Sequence, residues 1–360
     1  VEGNVRILLL ADGRSVHTVR YQEALRKAGE EVLLASLEPG DTIDIDLWDI
    51  TGIKSIDYFL AARQIKKIFD RFVPDIVDLH FASGYGFSGA VAGLRKKTPV
   101  ILHCLGSDIL ISPRRSFLHK MRVKYALARA DKVLVDSSFL EEKVKELCRT
   151  AVTEIVPWGI EYDIIESFAN RQFDLISTKR PLQILVPRPH NEIYNNRHIL
   201  FELKELVLSK QIVLTFPDWG EEYGSFRSLA ETECRGKINF YSLMPRALYI
   251  EFLNGFDLYL SAALSDSSPS SLLDAMGTGL LPIVSDIQGV RDWINNENAV
   301  LFDPRAKGSL KAALEKVLNK EINIEEILRR NHELVDKKGR FTANIEQTIE
   351  IMRRMIHDRG

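Results

Sequence analysis

The sequence predicts an α/β protein made of two Rossmann-like domains facing a central cleft. Three observations carry this. Short apolar, β-compatible runs alternate with helical runs, which is the order that builds parallel sheets. The chain has 360 residues, comfortable for two domains. A polar, poorly periodic stretch, 161–181, separates one alternating set from another and reads as a linker. The first domain is expected to end at residue 160.

Composition narrows the function classes. Hydrophobic residues are 45% and charged residues 27%, an ordinary globular balance. The net charge of −2 gives no global pull toward nucleic acid. Cys104, Cys148 and Cys234 are scattered without C-x-x-C spacing, which argues against a zinc site or a disulfide framework and fits a reducing cytosol. No apolar run reaches the roughly 18 residues of a membrane span. The run 7–11 is too short for a signal-peptide core. A cytoplasmic location is expected.

The first set opens with an apolar strand, 5–11, and the turn Asp12-Gly13-Arg14-Ser15. A helix over 16–28 and a strand over 32–36 follow. There is no G-x-G-x-x-G, so a dinucleotide reading is weak. A single glycine at a strand-to-helix turn lets backbone approach a phosphate, and a plain tight turn is the alternative. His17 falls near the C-terminal edge of this strand, where open α/β sheets collect ligands, and a structural histidine is the alternative.

Next come a helix over 58–72, a strand over 75–80, the run FASGYG and a small-residue helix over 88–94. A strand over 100–105 ends in Gly106-Ser107-Asp108. Two successive strands therefore end in polar, glycine-containing loops on one edge. Residues 114–132 read as one basic helix with interleaved Phe117, Leu118, Val123 and Leu127. A solvated face is the plain reading. Contact with anionic lipid or a lipid-diphosphate acceptor is the alternative. A strand over 130–137 and a helix from Ser138 complete the set.

The second set starts with a strand at 182–187 followed by Arg188, placed to fork onto a diphosphate or to sit at the surface. Helices are expected over 197–208, 223–234 and 246–255, and strands over 212–216 and 238–241. The most informative stretch is 264–294, LSDSSPSSLLDAMGTGLLPIVSDIQGVRDWI. A buried strand, 256–264, leads to Asp266. Ser268 reads as an N-cap and Pro269 as the first helical residue, with Gly277 and Gly279 as the stop. A strand over 280–285 follows. A helix N-terminus offers free N–H groups and a favourable dipole to a phosphate. Asp266 and Asp274 edge it, placed to accept from sugar hydroxyls. Two solvated carboxylates are the bland alternative. A strand at 300–302, a helix at 309–318 and a last helix over 340–359 close the chain.

The 264–294 stretch resembles the E-x7-E signature of retaining glycosyltransferases of family 4, with Asp266 and Asp274 as its acids and Gly279, Pro282, Ser285, Asp286 and Gly289 as its tail. ADGRSVHTVRYQEALRKAGEEV resembles that family's first loop and helix. DLHFASGYGFSGAVAG and HCLGSDILISPRR resemble its HAHFAS and HGSD segments, and PWGIE its inter-domain passage. The resemblance covers roughly residues 5–320.

The resemblance implies the GT-B architecture, with the last helix crossing back to the N-terminal domain, so the expected division is 1–160 together with 340–360 on the acceptor side, and 161–339 binding the nucleotide sugar. It implies a hexose-type sugar moved, with retention and without a required metal or cofactor, from a UDP- or GDP-linked donor to a hydroxyl of a glycan or lipid-linked acceptor. The donor side would comprise Gly13, Asp274, Ser268, Ser270, Ser271 and Leu272. Asp266, Arg188, His17 and Asp108 are the catalytic candidates, and His80, Ser83 and Ser107 belong to the acceptor side. Both acids are Asp where the family has Glu. Leu105 stands where many members have His, with His103 two residues earlier. Ile193 stands where a Lys usually follows the arginine by five residues. A nucleotide-sugar 2-epimerase and a non-catalytic scaffold of the same architecture are the rival readings.

Overall fold

The computed structural model describes residues 3–38, 40–47, 51–168 and 180–359. The chain splits into two compact units, Val1–Pro157 with Thr342–Gly360, and Trp158–Phe341.

The first unit is built on a seven-stranded sheet. Its elements run β1 (Arg6–Leu10), α1 (Val16–Lys27), β2 (Glu31–Ser36), β3 (Ile45–Asp46), α2 (Lys54–Phe72), β4 (Ile76–His80), a π-helical turn (Phe81–Tyr85), α3 (Gly86–Ala92), β5 (Val100–Cys104), α4 (Ser107–Leu110), α5 (Ser112–Arg115), α6 (Phe117–Leu127), β6 (Lys132–Val135), α7 (Ser138–Leu147) and β7 (Thr153–Ile155). The strand order is β3-β2-β1-β4-β5-β6-β7 and every pairing is parallel. Chain order reverses between β1 and β4, so the ligand-collecting switch point lies at their C-terminal ends. The central strands are buried on both faces, which is why they read as continuous apolar runs.

The second unit contains α8 (Tyr162–Ser167), β8 (Leu182–Leu185), α9 (Asn196–Leu208), β9 (Ile212–Pro217), α10 (Tyr223–Cys234), β10 (Asn239–Tyr241), α11 (Arg246–Leu253), β11 (Leu258–Ser261), α12 (Ser270–Thr278), β12 (Leu281–Ser285), β13 (Val300–Phe302), α13 (Ser309–Leu318) and α14 (Ile324–Lys338). Its parallel sheet runs β10-β9-β8-β11-β12-β13, with the switch point between β8 and β11. The last helix, α15 (Phe341–His357), packs in the first unit from Thr342 on. Arg353 pairs there with buried Glu30 at 2.8 Å, and Arg354 with Glu154 at 3.3 Å.

Several local expectations are corrected. Part of the stretch read as linker is α8, whose Ile164 and Ile165 are buried against the second unit's core. Residues 169–179 of that stretch lie outside the described residues. The basic helix expected over 114–132 breaks at Ser116, which is extended and caps α6 by accepting from His119 N at 3.3 Å. The loop expected after β4 is a π-helical turn running straight into α3, entered through Phe81 at φ +67°. A non-glycine residue in that region carries strain of order 1–3 kcal/mol. Ser268 does not cap α12: Pro269 is the N-cap and the helix begins at Ser270.

Candidate functional site: the two switch points

At the switch point of the second sheet, Arg188 leaves the end of β8 and Asp266 leaves the end of β11. Arg188 Nη2 stands 2.8 Å from Asp266 Oδ2, with both side chains largely buried. Alignment is poor for a hydrogen bond. Arg188 Nε and Asp266 Oδ2 stay buried without a hydrogen-bond partner among the described residues. A buried donor left unpaired costs free energy until something accepts from it. Burial is the largest single influence on Arg188 and opposes its charge, but the Asp266 carboxylate together with Tyr194 and Tyr259 outweighs it, so the guanidinium pKa is raised. Burial is likewise the larger influence on Asp266 and raises its carboxyl pKa against the pull of Arg188.

Two features aim Arg188. Its guanidinium lies 4.2 Å over the ring of Tyr194, a cation–π contact. Its backbone carbonyl accepts from Asn196 Nδ2 at 3.0 Å, and the adjoining His190 is locked between Asn196 and the Pro217 carbonyl. Ile193, in place of the family's lysine, accepts from Leu264 N through its carbonyl at 2.8 Å. That bond pins the 192–194 turn to the chain leaving β11.

Helix α12 starts beside Asp266. Leu272 N and Leu273 N both donate to the Pro269 carbonyl, at 2.9 and 3.3 Å. Leu272, expected on the donor side, spends its N–H inside the turn. Ser270 and Ser271 supply the leading N–H groups, which have no acceptor within the helix. Ser268 holds this turn rather than the helix. It has φ +40°, its N–H donates to Gly289 O at 3.2 Å, and its hydroxyl accepts from Trp293 Nε1 at 2.7 Å. Gly289 is needed for space: a Cβ there would stand 1.7 Å from the Asp266 carbonyl oxygen. Gly279, at φ +78°, ends α12 as expected. Gly277 does not. It lies inside the helix, where a Cβ would meet Ile160 Cδ1 at 2.7 Å.

Asp274 is buried one turn further along α12. Arg246, at the start of α11, grips both its oxygens at 2.9 and 3.2 Å, and reaches Glu161 Oε2 at 2.6 Å. Neither Arg246 nor Tyr194 was singled out in the sequence. Arg246 acts on Asp274 and Glu161, 28 and 85 residues away, while Tyr194 acts on Arg188 only six residues away; the local signal of each was no more than a charge or ring beside a strand or helix end.

At the switch point of the first sheet, Gly13 N donates to Ser36 Oγ at 3.0 Å. The Gly13 backbone packs against the following loop so tightly that a Cβ at Gly40 would sit 2.1 Å from Gly13 O. Tyr85 of the π-helical turn contacts Ser36 Oγ at 2.9 Å and accepts from Leu37 N at 2.7 Å, and its hydroxyl donates to buried Glu38. His17 is exposed in the first turn of α1. Burial drives the His80 pKa down to about 3, with the charges of His103 and His17 adding to the fall and Asp78 opposing it. His80 therefore stays neutral in a buried position. Ser83 is half-buried and Ser107 exposed. Asp108 is buried, and its oxygens accept from Ala82 N at 2.8 Å and Leu105 N at 3.0 Å, tying the π-helical turn to the chain end of β5. Desolvation lifts its pKa to about 6 against those backbone bonds.

Among the described residues, no helix is long and apolar enough to cross a membrane. Two family models match the chain: the one described as "Glycosyl transferase 4-like" over residues 6–137, and "Glycosyl transferases group 1" over residues 171–334. TuaC of Bacillus subtilis (strain 168), a glycosyltransferase assigned to teichuronic acid biosynthesis, is 24% identical over 271 residues, 73% of this chain and 66% of TuaC. Sucrose-phosphate synthase from Thermosynechococcus elongatus superposes with a TM-score of 0.80 at 15% identity, over 98% of this chain and 99% of that one. HepE of Anabaena, solved with UDP, superposes with a TM-score of 0.77 at 12% identity, over 97% and 100%. The structural likenesses establish the fold. With the two family models side by side along the two units, the chain belongs to the glycosyltransferases of the family 4 type, and is an enzyme of the GT-B fold.

Proposed function

We propose that the chain is a retaining, metal-independent transferase that moves a hexose-type sugar from a UDP- or GDP-linked donor to a hydroxyl of a glycan or lipid-linked acceptor. The observation that carries this reading is Arg188: a buried guanidinium at the switch point, with Nε unpartnered among the described residues, beside the N-terminus of α12. The donor diphosphate takes Arg188 together with the Ser270 and Ser271 N–H groups. As the glycosidic bond breaks, charge on the leaving phosphate meets donors already in place. Where Ile193 replaces the family's lysine, Tyr194 holds the Arg188 guanidinium in position for the diphosphate. Asp266 then accepts from donor-sugar hydroxyls. Asp274 accepts from the ribose, with Arg246 yielding part of its grip.

No protein nucleophile is invoked. The acceptor hydroxyl passes its proton to the leaving phosphate on the same face, which keeps the anomeric configuration. His17 and Ser107, both exposed, meet the acceptor, and Ser83 lines its approach. Asp108 and the Gly13 loop act by holding neighbouring backbone. HepE, with its UDP and UDP-glucose complexes, supports a UDP-linked donor, and TuaC supports a polysaccharide product. Phe117 and Leu118 are 75% and 72% exposed on α6, beside exposed Arg114, Arg115 and Lys120. That face supports peripheral contact with an anionic membrane, on its cytoplasmic side.

Incubation with UDP- and GDP-hexoses and glycan or membrane-extracted acceptors tests the reading, with product anomers resolved by NMR. A product of the donor's anomeric configuration, formed equally in EDTA, is expected. An inverted product overturns retention, and simple C2 interconversion of the nucleotide sugar makes the enzyme an epimerase.

A further inference from the structure

His80, expected on the acceptor side, is 1% exposed and belongs to a second constellation at the C-terminal ends of β4 and β5. Asp78 and His80 lie two residues apart on β4, on one face of the sheet. His103 is the direct cross-strand partner of His80 in the parallel register. Three side chains with metal-ligand chemistry thus share one face of two central strands. Asp78 is 0% exposed, His80 1% and His103 7%. Burying three such groups is costly unless each is well paired.

Their ligand atoms converge. Asp78 Oδ1 lies 3.3 Å from His103 Nε2 and 3.7 Å from His80 Nε2, and all three atoms fall within 4.8 Å of one another. The other carboxylate oxygen, Oδ2, accepts from Tyr21 OH at 2.7 Å. Tyr21, buried on α1, thereby holds the carboxylate so that Oδ1 points between the two imidazoles. This is the usual arrangement of a ligand carboxylate steadied by an outer hydrogen bond. Zinc binds His nitrogen and carboxylate oxygen at about 2.0–2.2 Å, which puts tetrahedral ligands about 3.3–3.6 Å apart. Two of the separations here are already close to that, so only a small contraction closes the set.

We propose that Asp78, His80 and His103 form a structural binding site for a divalent first-row cation, with Zn²⁺ the best fit to two imidazoles and one carboxylate. Tyr21 OH, 3.4 Å from His103 Nε2, stands at the remaining side. The ion neutralises the buried Asp78 carboxylate and clamps the ends of β4 and β5. Those ends carry the π-helical turn with Ser83 and the Ser107–Asp108 segment, so the site braces the first unit without joining the sugar chemistry. Among the described residues, no other group of three His, Cys, Asp or Glu side chains is arranged to hold a metal ion.

The test uses the untagged full chain, stripped with a chelator, desalted and titrated with Zn²⁺ and separately with Co²⁺. Expected are about one tightly held equivalent of Zn²⁺ by elemental analysis, a raised melting temperature, and visible d–d bands with Co²⁺. The double substitution His80→Gln, His103→Gln abolishes all three. Tyr21→Phe keeps the stoichiometry but weakens affinity, roughly 10- to 100-fold for an outer-shell loss. Absence of Co²⁺ bands and of retained Zn²⁺ in the unaltered chain overturns the site, whether or not the double variant folds. So does equal Zn²⁺ retention by a folded double variant. Nucleotide-sugar turnover plays no part in these readouts, so this proposal and the proposed reaction fail separately.

Discussion

Arg188 and Asp266 stand 2.8 Å apart at the switch point of the second sheet, yet Arg188 Nε and Asp266 Oδ2 lack hydrogen-bond partners among the described residues. An ion pair this buried is a stake on both sides. Removing one partner strands the other charge, at about 3–5 kcal/mol. Arg188→Ala should therefore destabilise the chain, and Arg188→Met with Asp266→Leu should recover much of that loss while leaving nucleotide binding abolished. Urea melts of the two variants and of the unaltered chain check this. Equal stability of Arg188→Ala and the unaltered chain contradicts it.

Asp274 is gripped by Arg246, which also reaches Glu161. If Asp274 holds the ribose, Asp274→Ala weakens UDP or GDP by roughly 10-fold or more, about 1.4 kcal/mol per tenfold, and leaves inorganic pyrophosphate affinity unchanged. Calorimetric titration with each ligand separates the two. Parallel losses for nucleotide and pyrophosphate would sink the ribose assignment.

Asp108 has its folded pKa lifted to about 6, chiefly by desolvation, from an ordinary 3.8. Between those values the folded chain binds more protons than the unfolded one. The contribution of Asp108 to stability is thus greatest at low pH, falls as pH rises through the window, and is level above about 6. Carboxyl ¹³C NMR should show a resonance titrating near 6 that is absent from Asp108→Asn. The variant also loses an acceptor for Ala82 N or Leu105 N, at about 1–3 kcal/mol.

Gly289 and Gly277 should respond differently to alanine. At Gly289 the new Cβ meets backbone, the Asp266 carbonyl oxygen at 1.7 Å, and neither side can yield cheaply. Gly289→Ala should cost about 3 kcal/mol or more and impair donor binding. At Gly277 the nearest atom is Ile160 Cδ1, the movable end of a side chain. Gly277→Ala should cost about 1 kcal/mol or less and leave donor affinity intact. Thermal melts with and without UDP compare the two.

Residues whose role is local were readable in the sequence. The alternation of apolar strands and helices told of two parallel sheets, and Arg188, Asp266 and Gly279 are placed by their own strand or helix ends. Most of what stayed hidden depends on partners far along the chain. Ser268 looked like a cap because Ser-Pro is a common helix start, but Trp293 and Gly289 claim it from 20 or more residues away. Arg246 finds Asp274 only once α11 and α12 are side by side. Tyr194 has its partner Arg188 six residues away, and stayed hidden because the 192–194 turn that brings its ring to the guanidinium has no residue pattern of its own. Phe81 gave no sign of its left-handed backbone, since only the packed π-helical turn imposes it. The chain over 162–167 looked like linker because it is short and polar at both ends, though Ile164 and Ile165 are buried.

The central claim is that a nucleotide diphosphate rests on Arg188 and the N-terminus of α12. Isothermal titration of the unaltered chain and of Arg188→Lys with UDP and GDP tests it most directly. One of the two nucleotides should bind the unaltered chain with one-to-one stoichiometry, and Arg188→Lys, which keeps the charge but loses the fork, should bind it roughly 10- to 100-fold more weakly, about 1.5–3 kcal/mol for a charge-assisted hydrogen bond. Equal affinities in the two proteins, or no binding of either nucleotide to the unaltered chain, would contradict the account.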